Sequence, residues 1–71
     1  MLRYGSQGPF VQYLQLALRR AGFAPGTIDG IFGTRTLDAL IKFQRAYGLV
    51  DDGIAGPNTW AALYPYLAGY V

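Results

Sequence analysis

The residues best equipped for chemistry are Asp29 and Asp52, each embedded in the phrase Asp-Gly-Ile-x-Gly-x-x-Thr-x-x-Ala-Leu. Two carboxylates are the minimum set for glycoside hydrolysis, one protonating the leaving group and the other acting as nucleophile or base. Each of these, however, stands directly before a glycine, where an aspartate side chain accepts hydrogen bonds from nearby backbone amides. Turn-making is therefore the expected role of both, and no acid–base pair remains. Histidine and cysteine are absent, so a Ser/His or Cys/His nucleophile is excluded. Zinc ligation fails for the same reason. "DDG" at 51–53 does not extend to a calcium loop, which needs oxygen ligands at alternating positions and a closing Glu, and the four acids are all Asp. The expectation is a chain with no catalytic residues, no metal and no cofactor.

The elements that position these aspartates follow from the duplication itself. "DGIFGTRTLDAL" at 29–40 returns as "DGIAGPNTWAAL" at 52–63, with seven of twelve paired positions identical. In both copies Gly-x-x-Gly opens a helix. Gly5-Ser6-Gln7-Gly8-Pro9 is a weaker third version, with proline at the favoured first helical position. The first helix is predicted over residues 9–21, with Val11, Leu14 and Leu18 on one face and a stop at Gly22. Arg19 and Arg20 suit the negative end of its dipole. The second is predicted over 34–47, with Leu37, Leu40, Ile41 and Phe43 apolar and a stop at Gly48. The third starts at Pro57, carries Trp60 and Leu63, and is expected to end by Tyr64, because a residue before proline is pushed out of the α region. Leu14, Leu18, Leu40, Phe43, Trp60 and Leu63 form the predicted core, with Trp60 buried between helices. Gln15 and Gln44 each follow a core residue, and their amides are expected to tie down loop backbone.

Bulk properties agree with an all-α, compact three-helix bundle. Seventy-one residues make one domain, and 52% hydrophobic content supplies a core without disulfides. The net charge of +2 reflects scarce acids rather than a basic run. A nucleic-acid reader is not expected, since the third helix lacks Lys and Arg and the six basic residues are scattered. No run approaches the ~20 apolar residues of a membrane span, and Met1-Leu2-Arg3 does not open a signal peptide.

Three stretches in order, "LRYGSQGPFVQYLQLAL", "GFAPGTIDGIFGTRTLDALIKFQRAYGL" and "DGIAGPNTWAAL", resemble the small non-catalytic peptidoglycan-binding domain (PGBD-like) attached to many bacterial and phage cell-wall hydrolases. The resemblance implies a three-helix fold, attachment to the glycan strand or stem peptide of murein, and a covalently linked catalytic domain. It also implies a location in the cell wall or outside the cell, spore and phage-lysis settings included. A monomeric single domain over residues 1–71 is expected, with 64–71 lying beyond the family pattern as the start of a linker or as a segment packed on the third helix. The rival reading from another class is a protein-interaction module that docks on its own enzyme.

The two copies differ at Phe32 against Ala55 and at Arg35 against Asn58, on the turn and the first helical residues. The expected ligand site is therefore the first loop, Asp29, Gly30, Ile31, Phe32, Gly33, Arg35 and Thr36, with Tyr47 beside it. There the second helix N-terminus and Arg35 would meet a carboxylate and Phe32 an apolar face. The alternative is that Phe32 closes the core and Arg35 is a solvated charge.

Overall fold

Proline opens two of the three helices, and a glycine precedes all three. The computed structural model describes residues 1–68 and contains α1 (Pro9–Arg20), α2 (Thr34–Ala46) and α3 (Pro57–Leu63), followed by a 3-10 turn (Tyr64–Leu67). Gly8, Gly33 and Gly56 hold the N-cap positions without a capping side chain. Both long helices end in the same device. Phe23 N donates to Leu18 O at 2.8 Å and Gly22 N to Arg19 O at 3.0 Å, and Leu49 N and Gly48 N repeat this onto Gln44 O and Arg45 O. These are Schellman closures, which place a left-handed residue after the helix; Gly22 and Gly48 have φ of 94° and 68°. Phe23 and Leu49, the next residues, fold back onto the core.

The core lies where the helices cross, around Val11, Leu14, Leu18, Phe32, Leu40, Phe43 and Leu63. Phe43 stands at its centre, edge-on to Phe23 at 5.6 Å and stacked on Tyr47 at 4.3 Å. Five of the six predicted core residues are fully buried; Trp60 is half-buried and packs on the edge of the cluster. The helix that starts at Pro57 has only seven residues, and its buried positions are Thr59 and Leu63, which leaves Trp60 at the margin.

The chain N-terminal to α1 is where structure departs most from expectation. Residues 2–8 copy neither repeat loop but run between the two. Ala55 N donates to Leu2 O at 2.8 Å, while Gly5 N reaches Phe32 O, Phe32 N reaches Ser6 O and Gly8 N reaches Gly30 O, each at 2.9 Å. Two isolated antiparallel bridges result, and no strand forms among the described residues. α3 ends at Leu63, as expected of a helix that stops by Tyr64, but not for the expected reason: Tyr64 keeps right-handed helical angles (φ −52°, ψ −41°) despite Pro65. Proline's steric bias is outweighed there by packing, since the 3-10 turn lies against α1 and α3 and Arg20 Nη1 donates to Tyr66 O at 3.0 Å. Residues 64–67 thus extend the fold. Tyr70 lies outside the described residues.

Burial ranks the core. Phe43→Ala is expected to cost about 3–5 kcal/mol in urea denaturation, and Trp60→Ala less, because part of its ring already meets water. Equal losses would place Trp60 among the fully buried residues after all.

Candidate functional site

Each repeat loop is held by one buried glutamine. From α1, Gln15 Nε2 donates to Asp29 Oδ1 (3.2 Å), Ile31 O (3.0 Å) and Thr36 Oγ1 (3.0 Å), while Gly30 N donates to Gln15 Oε1 at 3.0 Å. From α2, Gln44 makes the same set to Asp52 Oδ1 (3.2 Å), Ile54 O (3.1 Å) and Thr59 Oγ1 (3.1 Å), accepting from Gly53 N at 3.0 Å. Each aspartate also accepts from the backbone two residues on, Ile31 N and Ile54 N, at 2.9 Å. The aspartates are consumed as turn clamps, as expected of an Asp before Gly. That Ile31 amide, followed by the Gln15 amide, holds the Asp29 carboxyl below its ordinary 3.8.

The copies differ in the loop that precedes the clamp. Gln15 and Asp29 are fourteen positions apart in the sequence, and Gln44 and Asp52 eight. The extra chain forms a wall, Pro25, Gly26 and Thr27, fixed where Thr36 Oγ1 donates to Pro25 O at 3.2 Å. Wall, clamp and helix start enclose a cleft of about 330 Å³ lined by Thr27, Asp29, Ile31, Thr34 and Arg35 among others. Gly26 has φ +84°, and a Cβ there would sit 3.0 Å from Arg35 Cδ, so the arginine stem lies across the glycine with its head exposed. The corresponding cleft of the second copy, about 400 Å³, contains Asn58 in place of Arg35 and is bordered by Met1. Met1 Sδ lies 2.8 Å from where a Gly56 Cβ would be, and Pro57 brings no N–H to that helix start.

The expected site residues therefore divide. Asp29, Ile31, Gly33, Arg35 and Thr36 border the first cleft, although Thr36 is buried and spends its hydroxyl on Gln15 and Pro25. Gly30 is buried behind it with its N–H on Gln15. Phe32 is 1% exposed and sits in the core, so its ring meets Leu and Phe neighbours and not a ligand face. Tyr47 lies at the far end of α2, about 18 Å along the axis from Arg35 at 1.5 Å per residue. Its ring stacks on Phe43 and its hydroxyl touches that of Tyr66, which pushes the Tyr47 phenol up. Pro25, Thr27 and Thr34 lie outside the expected set; the longer loop of the first copy signals the first two, while Thr34 is the first residue of α2 and has no such signal.

A glutamine-locked helix–loop unit, used twice over three helices with an open cleft beside each helix start, defines a small all-α repeat module. The chain belongs to the family described as "Putative peptidoglycan binding domain", whose model matches residues 7–63. It is 49% identical over 57 residues to the N-acetylmuramoyl-L-alanine amidase CwlM of Mycobacterium tuberculosis (strain ATCC 25618 / H37Rv), covering 80% of this chain and 14% of that protein. It is 50% identical over 68 residues to the zinc D-Ala-D-Ala carboxypeptidase of Streptomyces albus G, covering 89% and 26%. The crystal structure of the SleB N-terminal domain superposes with a TM-score of 0.86 at 41% identity, over 90% of this chain and 88% of that one. The chain thus spans about a quarter or less of these two curated relatives' length.

Two outcomes follow from the clamp. Gln15→Glu keeps the shape but loses the Nε2 donors and sets a second carboxylate beside Asp29. It is expected to lower stability by about 2–4 kcal/mol at pH 7, with recovery as pH falls through the new acid's pKa, which burial and the neighbouring Asp29 charge raise above the ordinary carboxyl range. In the parent, Asp29 has a folded pKa below 3.8, so its stabilisation is complete above that value and is lost as pH falls through the lowered one. Thermal melts of Asp29→Asn are expected to show a shallower decline on the acid side than the parent; identical acid limbs would remove the clamp from the account.

Proposed function

We propose that this domain holds bacterial peptidoglycan without cleaving it and keeps a covalently linked cell-wall hydrolase at its substrate, in the cell wall or outside the cell. Family membership supports the ligand class, and the relatives' catalytic names belong to proteins several times longer. The observation that carries the site is the asymmetry between the copies. The first cleft has a walled loop, an exposed arginine and a Thr34 N–H at the start of a 13-residue helix; the second has asparagine, proline and a methionine across its mouth. A stem-peptide carboxylate suits the first, since free N–H groups and the guanidinium both favour an anion. Asp29, Gly30, Ile31, Gly33 and Thr36 shape this cleft, and Arg35 makes the contact.

Retention on purified sacculi tests both parts. The parent is expected to be retained, Arg35→Ala to weaken about tenfold with unchanged helical signal and melting temperature, and Asn58→Ala to bind as the parent does. Equal losses in both variants would move the site off the first loop. Incubated with murein, the chain is expected to release neither reducing sugar nor free amine. Turnover that persists through purification and disappears in Asp29→Asn would make it an enzyme.

A further inference from the structure

All four aspartates are engaged: Asp29 and Asp52 by their glutamine clamps, Asp38 by Lys42 at 3.0 Å and Asp51 by Arg45 at 2.7 Å. Among the described residues, Arg3, Arg19 and Arg35 are left without an acidic partner. Arg19 and Arg35 each line a cleft bordered by the same loop. Thr27 lines the cleft that holds Arg35, and Ile28, its neighbour, lines a second cleft of about 400 Å³ with Gln12, Tyr13, Leu16 and Arg19. Tyr13 is also a wall of a third, apolar groove of about 430 Å³, formed with Phe10, Trp60, Tyr64 and Leu67. Phe10 and Tyr64 are about two-thirds exposed, at 68% and 69%, and the Phe10 and Tyr13 rings meet edge to face at 6.1 Å. Met1 and Leu2 complete the lining, and no charged side chain is among it. The surface therefore runs from two uncommitted guanidiniums, across Tyr13, to an uncharged aromatic trough.

Resting on the wall-binding reading above, we propose that the aromatic groove between α1 and α3 takes the neutral sugar rings of the glycan strand, while Arg19 and Arg35 take the carboxylates of its stem peptides. A pyranose ring has an apolar C–H face that lies against the negative face of an aromatic ring. Murein joins such rings to acid-bearing peptides, and this surface joins an aromatic half to a cationic half in the same way. The charge distribution selects this occupant over an anionic polymer without sugar faces, which would engage Arg19 and Arg35 and leave the groove empty.

Trp60 is the chain's one tryptophan and stands in the groove, so its emission reports occupancy. A tetramer of β-1,4-linked N-acetylglucosamine, which has no carboxylate, is expected to shift that emission to the blue. Phe10→Ala and Tyr13→Ala are each expected to weaken sacculus retention and the tetramer response about threefold to tenfold, with circular dichroism and melting confirming the fold. Phe10 is the safer variant because its ring is mostly in solvent. Arg19→Gln is expected to weaken retention on sacculi but not on sacculi whose carboxyls have been amidated. If the parent holds sacculi while both aromatic variants bind equally well, the groove is overturned and the wall-binding reading stands. If the parent fails to hold sacculi, that reading falls and the groove with it. Self-association in sedimentation that Phe10→Ala abolishes would assign the groove to a second copy and overturn the glycan.

Discussion

Everything in this domain leans on a side-chain amide buried twice. Gln15 and Gln44 are almost wholly shielded from water, and each is satisfied at both ends by one loop. The position demands a group that donates and accepts at once, because it must accept a glycine N–H and share its own two N–H groups among a carboxylate, a carbonyl and a threonine hydroxyl. Glutamate cannot donate when ionised, and asparagine is one methylene short of the same atoms. Leaving the amide buried and unpaired would cost about 1–3 kcal/mol for each lost partner, a large fraction of what so small a domain possesses. The clamp thus fixes the path of each loop and sets the entry angle of the following helix, whose threonine is one of its partners.

That constraint explains how a chain of 71 residues reaches a defined fold without disulfides. Each clamp joins the helix before a loop to the helix after it, so α1 is coupled to α2 and α2 to α3 through polar contacts. The N-terminal segment then couples the loops to each other through the backbone of Phe32 and Ala55. Both residues are buried at equivalent places in the repeat, but one is large and the other small. Beside Ala55, Leu2 contributes apolar bulk from the N-terminal segment. Gly53 shows how tightly the second loop is seated: a Cβ there would come within 2.6 Å of Leu37 Cδ1.

What was legible in the sequence is what is local. Helix starts at proline, stops at glycine, the turn role of Asp29 and Asp52 and the tethering role of both glutamines depend on neighbours a few residues away or on a repeat visible in the letters. Burial of Phe32, the half-burial of Trp60 and the helical angles of Tyr64 depend on what packs against them from afar, and no periodicity encodes that. Tyr47 was grouped with the first loop although a helix of thirteen residues holds them apart. The cleft wall was partly visible as six extra residues between Gln15 and Asp29, relative to the second copy, but their use as a wall needs the Thr36–Pro25 bond to be seen.

Duplication also supplies an internal control on what the loops are for. Where both copies must solve the same folding problem they keep Asp, Gly, Ile, Gly and Thr, and their bond lengths agree within 0.1 Å. Divergence begins one side chain away from the clamp, at positions the clamp does not touch. In the second copy the changes strip the helix start of its anion-binding groups: proline removes a donor, asparagine stands in place of the arginine, and a methionine lies beside the glycine. In the first they leave it open and set a guanidinium over a glycine that has space for its stem. A fold that needed both loops only as turns would have no physical reason to keep a longer wall, an exposed donor and an unneutralised cation together in one copy. Their coincidence is what separates the scaffold, held in common, from the surface that the proposed wall ligand would use.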